Sequence, residues 1–217
     1  MRVARSLYIP APPGDAVHAT AQCYAGVAGR RLLEMVTHHA FNGKYYYTRR
    51  LYRRVSEDNG ATWRVAEPPF QARAEEAEAE ERGCDIHLLE PGTGWLVHLY
   101  STWRIRRADD QFNSQTTASS YRVVYEISAD EGRTWTPPRP VIHRGPGFDA
   151  VRWLPDVTYG KNGAYCVPGA IAPLADGGFM VGLAIHPRSG DGKSCQPGWF
   201  DTAFLRGRWT PDGKDLE

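Results

Sequence analysis

The sequence predicts an all-β protein built from a repeated antiparallel unit. Composition is the first reason. Gly 22, Pro 16, Tyr 11 and Trp 7 among 217 residues make a chain rich in turn formers and in aromatic side chains that suit pleated surfaces. The second reason is a turn that occurs twice, SEDNGATW at 56–63 and SADEGRTW at 128–135. Ser56, Asp58, Gly60, Thr62 and Trp63 coincide with Ser128, Asp130, Gly132, Thr134 and Trp135. The match extends outward: LYRRV (51–55) lies over VVYEI (123–127), and Pro68 over Pro140. The unit is therefore strand, turn, Trp, strand.

The turn has a local physical logic. Asp58 is placed to accept hydrogen bonds from backbone N–H groups that follow it. Gly60 supplies the positive φ of a tight turn. Trp63 opens the returning strand and covers the hairpin with a large ring. A calcium loop is the alternative, but Asp58-Asn59-Gly60 lacks the other ligand positions of an EF-hand.

Charge and hydropathy bound the function. Lys+Arg 26 against Asp+Glu 25 gives a net charge of +1, without the basic excess of a nucleic-acid binder. The hydrophobic fraction of 41% and charged fraction of 24% fit a folded globular chain. No apolar run is long enough to cross a membrane. The N-terminal stretch carries Arg2 and Arg5 but no apolar core of a signal peptide, which places the protein in the cytoplasm if this start is the true one. Cys23, Cys84, Cys166 and Cys195 show no C-x-x-C spacing, so no zinc site is expected, and buried thiols are favoured over disulfides. No cofactor motif is present, and no metal site is assigned.

The repeated S-x-D-x-G-x-T-W string resembles the Asp box of sialidases and related BNR-repeat proteins. The resemblance implies a six-bladed β-propeller, with each box joining the third and fourth strands of a blade on the rim away from the active site. In that reading Ser56, Asp58, Gly60 and Trp63, with Ser128, Asp130, Gly132 and Trp135, are scaffold and do no chemistry.

The strands then fall in order. Blade one covers about 18–70: ATAQCYAGV, RLLEMVTHH, KYYYTRRLYRRVS and the stretch after Trp63. An acidic linker occupies 71–82, where five of the nine residues 74–82 are Glu, read as a solvated connection or short surface helix. Blade two covers about 83–143, with CDIHLLE, GWLVHLYSTW and SSYRVVYEIS. Blade three covers about 149–217, with AYCVPGAIAPL, GGFMVGLAIHP and GWFDTAFLRGRW, and ends at PDGKD, where a third box keeps only Asp-Gly. SLYIP near the start is read as an outermost strand. About three blades leave open flanks, so the expectation is a fragment, the N-terminal half of a propeller, closed by missing C-terminal blades or by a second copy.

The repeat also superposes the second strands without gaps: LLEMVTHH (32–39), LVHLYSTW (96–103) and FMVGLAIH (179–186). Their last residues are His39, Trp103 and His186, flanked by His38, Arg104 and Arg188. Rings gathered at one mouth suit sugar recognition by stacking and by hydrogen bonds to hydroxyls. Histidine adds acid–base capacity near neutral pH, which makes His38 and His39 catalytic candidates. Along the third strand, alternation sends Tyr45 and Tyr47 one way and Tyr46 the other.

The resemblance adds Asp85, which opens the inner strand of blade two where sialidases place an acidic residue in the sugar pocket. It is a candidate for both binding and catalysis. The family's first substrate-clamping arginine falls on Tyr8 by motif, or on Gln22 by strand spacing. Neither replaces a planar, bidentate guanidinium, which speaks against sialic-acid cleavage. The loop HHAFNGKYYY lacks the family's acid/base Asp. The Tyr nucleophile and its Glu belong to later blades, so the family's mechanism maps onto no residue here. The reading is a sialidase-like, exo-acting glycoside hydrolase or its N-terminal part, with a glycan as partner. A non-catalytic propeller that binds glycan or protein is the alternative. A propeller polysaccharide lyase is the third reading.

Overall fold

A computed structural model describes residues 8–41, 46–66, 78–106, 115–188, 190, 199–211 and 215–217. These residues form three antiparallel sheets. The first holds β1 (Asp15–Tyr24), β2 (Leu32–Phe41), β3 (Tyr46–Ser56) and β4 (Arg64–Val65), in that order. The second holds β5 (Glu78–Leu89), β6 (Leu96–Arg106), β7 (Arg122–Ser128) and β8 (Arg139–Pro140), again in order. The third is the meander of β9 (Ala164–Pro173), β10 (Phe179–Ile185) and β11 (Asp201–Gly207). Among the described residues no helix is long and apolar enough to cross a membrane.

The second sheet is packed on both faces, which explains its sequence. Leu96 through Trp103 are all buried, and so are Val123 through Ser128. Continuous apolar runs rather than clean alternation are expected of strands covered on two sides. Between the second and third sheets lies the main core, where Trp153 packs with Val97, Leu99, Val123, Ile127, Val181 and Leu183. A smaller core, Ala25, Leu33, Val55 and Leu96, joins the first and second sheets. The first strands β1, β5 and β9 touch one another, so one strand of each sheet lies toward a common line.

Each first strand is irregular against its neighbour. Ala21 and Gln22 stand opposite Glu34 alone, and Cys84 and Asp85 opposite Tyr100 alone. In the third sheet the pairing jumps from Val181↔Ile171 to Leu183↔Cys166. Such bulges re-aim side chains. At the second one, Cys84 takes a φ of 57°.

The two eight-residue turns share one geometry. The Ser56 hydroxyl donates to Asp58 Oδ1 at 2.7 Å, and the Gly60 amide donates to Ser56 Oγ at 2.7 Å. The Thr62 amide and hydroxyl donate to Asp58 at 2.8 and 2.7 Å. Ser128, Asp130, Gly132 and Thr134 repeat these bonds at 2.8, 2.8, 2.8 and 2.6 Å.

Several expectations are corrected. The acidic stretch is not a linker through residue 82: Glu78–Arg82 belong to β5, and Glu81 is buried. Its polarity hides a strand because this part of β5 runs beside β6, pairing Glu81 with Trp103 and Glu80 with Arg104. A six-residue helix, α1 (Gln115–Ser120), precedes β7 and takes in Ser119 and Ser120, which the sequence reading gives to the third strand of blade two. Tyr8–Pro10 form no strand. Tyr8 instead donates to Glu34 Oε1 at 3.1 Å and lies under the Arg54 guanidinium.

Candidate functional site

Strand register defines two ends of the first two sheets. Leu32 pairs with Ser56 and Leu96 with Ser128, so both eight-residue turns lie where β2 and β6 begin. His39 and Trp103 lie at the opposite end of those strands, away from the turns. That separation follows from pairing alone. The shared register of Leu32 and Leu96 also places β2 and β6 equivalently against their turns.

At this far end Trp103 and His186 belong to one aromatic cluster. Trp103 meets Tyr121 in a tilted contact at 5.1 Å, and Tyr121 stacks with His186 at 5.5 Å. Tyr165 meets Tyr121 at 5.1 Å and His186 at 6.0 Å. Phe200 closes the group, 4.7 Å from His186 and 5.6 Å from Tyr165. Trp103, Tyr121 and His186 are buried, whereas Phe200 is 45% exposed and its neighbour Trp199 is 71% exposed. The cluster thus has a rigid buried base and an open aromatic surface. Short α1 helps to fix it: the Ser120 hydroxyl receives the Arg104 amide at 2.8 Å, which sets Tyr121 beside Trp103. Burial first, then the neighbouring Cys84, Tyr165 and Glu81, push the Tyr121 phenol well above its ordinary range. It is a poor source of a phenolate nucleophile.

His39 stands apart from this group. It meets His18 edge-on at 5.1 Å, and partial burial, with His18 and His38 nearby, lowers its pKa and keeps the ring neutral at pH 7. His38 is buried, with Nε2 3.1 Å from the Tyr52 hydroxyl. A bulge between His38 and His39 in the β2–β3 pairing separates the environments of the two rings. Arg104 is exposed, 6.0 Å from the Tyr159 ring, and Arg188 donates to Thr158 Oγ1 at 2.6 Å.

Asp85 is turned into the protein. Its Oδ1 lies 2.8 Å from His98 Nε2, and Glu126 Oε1 lies 2.8 Å from His98 Nδ1. Arg53 of the first sheet reaches across to donate to Glu126 Oε1 at 2.8 Å. His87 and Tyr100 stack on the two sides of this group, with centroids 4.4 and 4.8 Å from the His98 ring. Burial works to raise the Glu126 pKa, but His98 and Arg53 outweigh it and hold the carboxyl below its ordinary range. The array joins the first and second sheets through buried, paired charges. Gln22 lies on β1, but its side chain is outside the described residues, as are those of Tyr46 and Tyr47; Tyr45 and Cys195 lie wholly outside them.

Sequence reasoning missed Tyr121, Tyr165, Trp199 and Phe200, and every member but Asp85 of the Arg53–Glu126–His98–Asp85 array. Tyr121 directly precedes β7 and Tyr165 lies near the start of β9, positions that a superposition of second strands does not consider. The array needs a partner from another sheet, which periodicity does not supply.

No protein-family model matches this chain, and no curated protein matches it in sequence. Among solved structures it is similar to a Penicillium chrysogenum alpha-L-arabinanase complexed with arabinobiose, at 12% identity and TM-score 0.44, over 81% of this chain and 40% of that one. It is similar to a Hadza microbial sialidase, Hz136, at 12% identity and TM-score 0.49, over 91% of this chain and 43% of that one. It is also similar to a polysaccharide lyase of family PL25, an ulvan lyase, at 12% identity and TM-score 0.49, over 90% of this chain and 42% of that one. The chain therefore spans less than half the length of each of these proteins.

Proposed function

We propose that this chain is part of a carbohydrate-active protein and that its far end contributes sugar recognition. The three sheets are read as blades of a sialidase-like β-propeller, the two eight-residue turns as its Asp boxes, and closure as the work of further blades or a second copy. The observation that carries the reading is the exposed Phe200 ring against His186 and Tyr165, above the buried Tyr121 and Trp103, with exposed Trp199 next to it in sequence. A pyranose presents an apolar C–H face to such rings, and His39 and Arg104 supply donors at the same end of the sheets. Binding of oligosaccharides to the purified protein, followed by calorimetry, tests it. Phe200→Ala is expected to weaken binding about tenfold, the equivalent of ~1.4 kcal/mol. Absence of saturable binding to every neutral and acidic oligosaccharide tried would overturn the reading.

Hydrolysis of a glycoside is the second reading. It is favoured by His39, a half-buried neutral imidazole with the protonation state of a general base at pH 7. Release of reducing ends from the oligosaccharides that bind, lost in His39→Ala, supports hydrolysis. A product absorbing near ~230 nm, with its acid–base dependence, identifies a lyase instead.

A further inference from the structure

The seam between the first and second sheets, at the turn end, contains a cavity of about 140 Å³ lined by Arg31, Arg53, Arg64, Arg133, Ala66, Gly132 and Trp135. Four arginines and a tryptophan line one space, with no Asp or Glu among its described lining residues. Arg31 and Arg53 are buried and form its base, whereas the side chains of Arg64 and Arg133 are 61% and 53% exposed at its rim. The Arg53 guanidinium lies over Trp135, its Cζ 4.2 Å from the ring centroid.

We propose that this cavity binds a single small oxyanion: sulfate, phosphate, or a sulfate or carboxylate group borne on a sugar. Size sets the class. The volume matches about four or five waters at ~30 Å³ each, and falls below the ~300 Å³ of sites that enclose a whole small organic ligand. Charge sets the sign. Arginine presents its donors in a planar fork suited to oxyanions. Glu57 pairs with Arg31 and with Arg64, the latter at 3.4 Å. Glu131 pairs with Arg133 at 2.9 Å, and its carbonyl accepts from Arg31 Nε at 2.8 Å. Glu126 pairs with Arg53. Glu57 and Glu131 are therefore competitors that an entering anion replaces at the rim, while Arg31 and Trp135 stay in place. The site lies at the opposite end of the sheets from the aromatic cluster and is independent of the sugar-recognition proposal.

Calorimetric titration with sodium sulfate in a sodium chloride buffer tests it, at millimolar sulfate, where salts do not yet act by general exclusion. A parallel titration with a sulfated monosaccharide distinguishes a free ion from a sugar-borne group by which binds more tightly. The expected result is one saturable site whose affinity falls at least tenfold in the doubly substituted Arg64→Ala, Arg133→Ala protein. The corresponding pair of Lys substitutions keeps part of the affinity, because charge remains and only the planar fork is lost. Arg144→Ala, an exposed arginine outside the cavity, binds as the parent does. No saturable heat with either titrant, or equal affinity in the parent and the doubly substituted Ala protein, overturns the proposal.

Discussion

Arg53 of the first sheet lies over the Trp135 ring of the second, 4.2 Å from its centroid, and the same guanidinium donates to Glu126 at 2.8 Å. One side chain thus serves a buried ion pair and an aromatic face at a single seam. Both partners are held in place by their own sheet. Trp135 follows the second eight-residue turn, and Glu126 pairs across strands with His98. Removing one member of a buried pair leaves the other charged and desolvated, which costs about 3–5 kcal/mol. Arg53→Ala is therefore expected to destabilise the protein by roughly 3 kcal/mol or more in urea unfolding. Arg206→Ala, at an exposed pair with Asp176, changes stability by less than about 0.5 kcal/mol. Similar small losses in both variants would show that the seam does not depend on Arg53.

The turns make acid stability predictable. Hydrogen bonds from the Thr62 hydroxyl and amide, and from Ser56, hold the Asp58 carboxyl down from 3.8 to about 2. At Asp130 burial acts upward, but bonds from Thr134, Ser128 and the Arg133 amide prevail and bring it to about 2 as well. A carboxyl with a depressed folded value contributes its full stabilisation above its unfolded value and loses it as pH falls through the folded one. Stability contributed by these two groups is thus complete above about pH 4 and declines toward about pH 2. Urea midpoints measured from pH 5 down to 2.5 check this. The Asp58→Ala, Asp130→Ala protein is expected to be less stable at pH 5 and to show a shallower decline. An equally steep decline would assign acid sensitivity to other groups.

The two turn glycines are equivalent in sequence and unequal in their surroundings. Gly60 has a φ of +89° and Gly132 a φ of +76°, so Ala is strained at either position. A Cβ on Gly60 would stand 3.4 Å from Leu32 Cδ1, ordinary contact, whereas one on Gly132 would stand 2.6 Å from Leu33 Cδ1. The second turn is pressed against the first sheet. Gly60→Ala is expected to cost about 1 kcal/mol, and Gly132→Ala a further ~1–3 kcal/mol for overpacking. Thermal or urea unfolding of the two variants side by side measures the difference, and equal costs would place the turn–sheet contact wrongly.

These contrasts show what the sequence makes legible. A turn whose bonds all fall within eight residues is readable from Ser, Asp, Gly and Thr at fixed spacing, because its physics is local. Strands such as Leu96–Arg106 are readable from apolar density. The strand at Glu78–Arg82 is not, because a Glu-rich stretch looks solvated until Trp103 and Arg104 are known to lie opposite. The bulge sets Cys84 and Asp85 opposite Tyr100 alone, and one extra residue leaves no mark in composition. The superposed second strands set His39, Trp103 and His186 at one position; His39 meets His18 instead, while Trp103 and His186 share a ring cluster through Tyr121. The residue that joins them, Tyr121, follows a short helix that nothing in the periodicity announced.

The thiols offer a chemical check on packing. Burial pushes the Cys23 and Cys84 thiols up to about 12, with Arg53 opposing it at Cys23 and Asp85 adding to it at Cys84. Cys166 is driven up as well, by burial first and then by Cys84 and Asp85. All three are free thiols, and the thiolate is the reactive form. Iodoacetamide at pH 8 is therefore expected to leave Cys23, Cys84 and Cys166 unmodified in the folded protein and to label them after unfolding, read site by site by peptide mass. Cys166 is buried and Cys23 and Cys84 are partly buried, so rapid native labelling at any of the three would contradict its raised pKa.

The last prediction concerns pH and the far end. His39 has its pKa lowered by burial first and by His18 and His38 after that, so it gains its proton only below its ordinary 6.5. A histidine with a depressed folded value stabilises the fold fully above its unfolded value, and that contribution fades as pH falls through the folded value. If His39 meets sugar as a neutral ring, affinity is flat from pH 7 to 8 and changes only in more acidic solution. The titration of His39, followed by the ring-proton shifts in nuclear magnetic resonance, is expected below 6.5 in the free protein. Binding of an oligosaccharide that excludes water from the ring lowers it further, because desolvation disfavours the imidazolium. His18→Ala removes one neighbouring ring and is expected to raise the His39 value, with little effect on the aromatic surface of Trp199 and Phe200. A His39 that titrates at 6.5 with and without sugar would remove it from the recognition surface, leaving the aromatic cluster to be tested on its own.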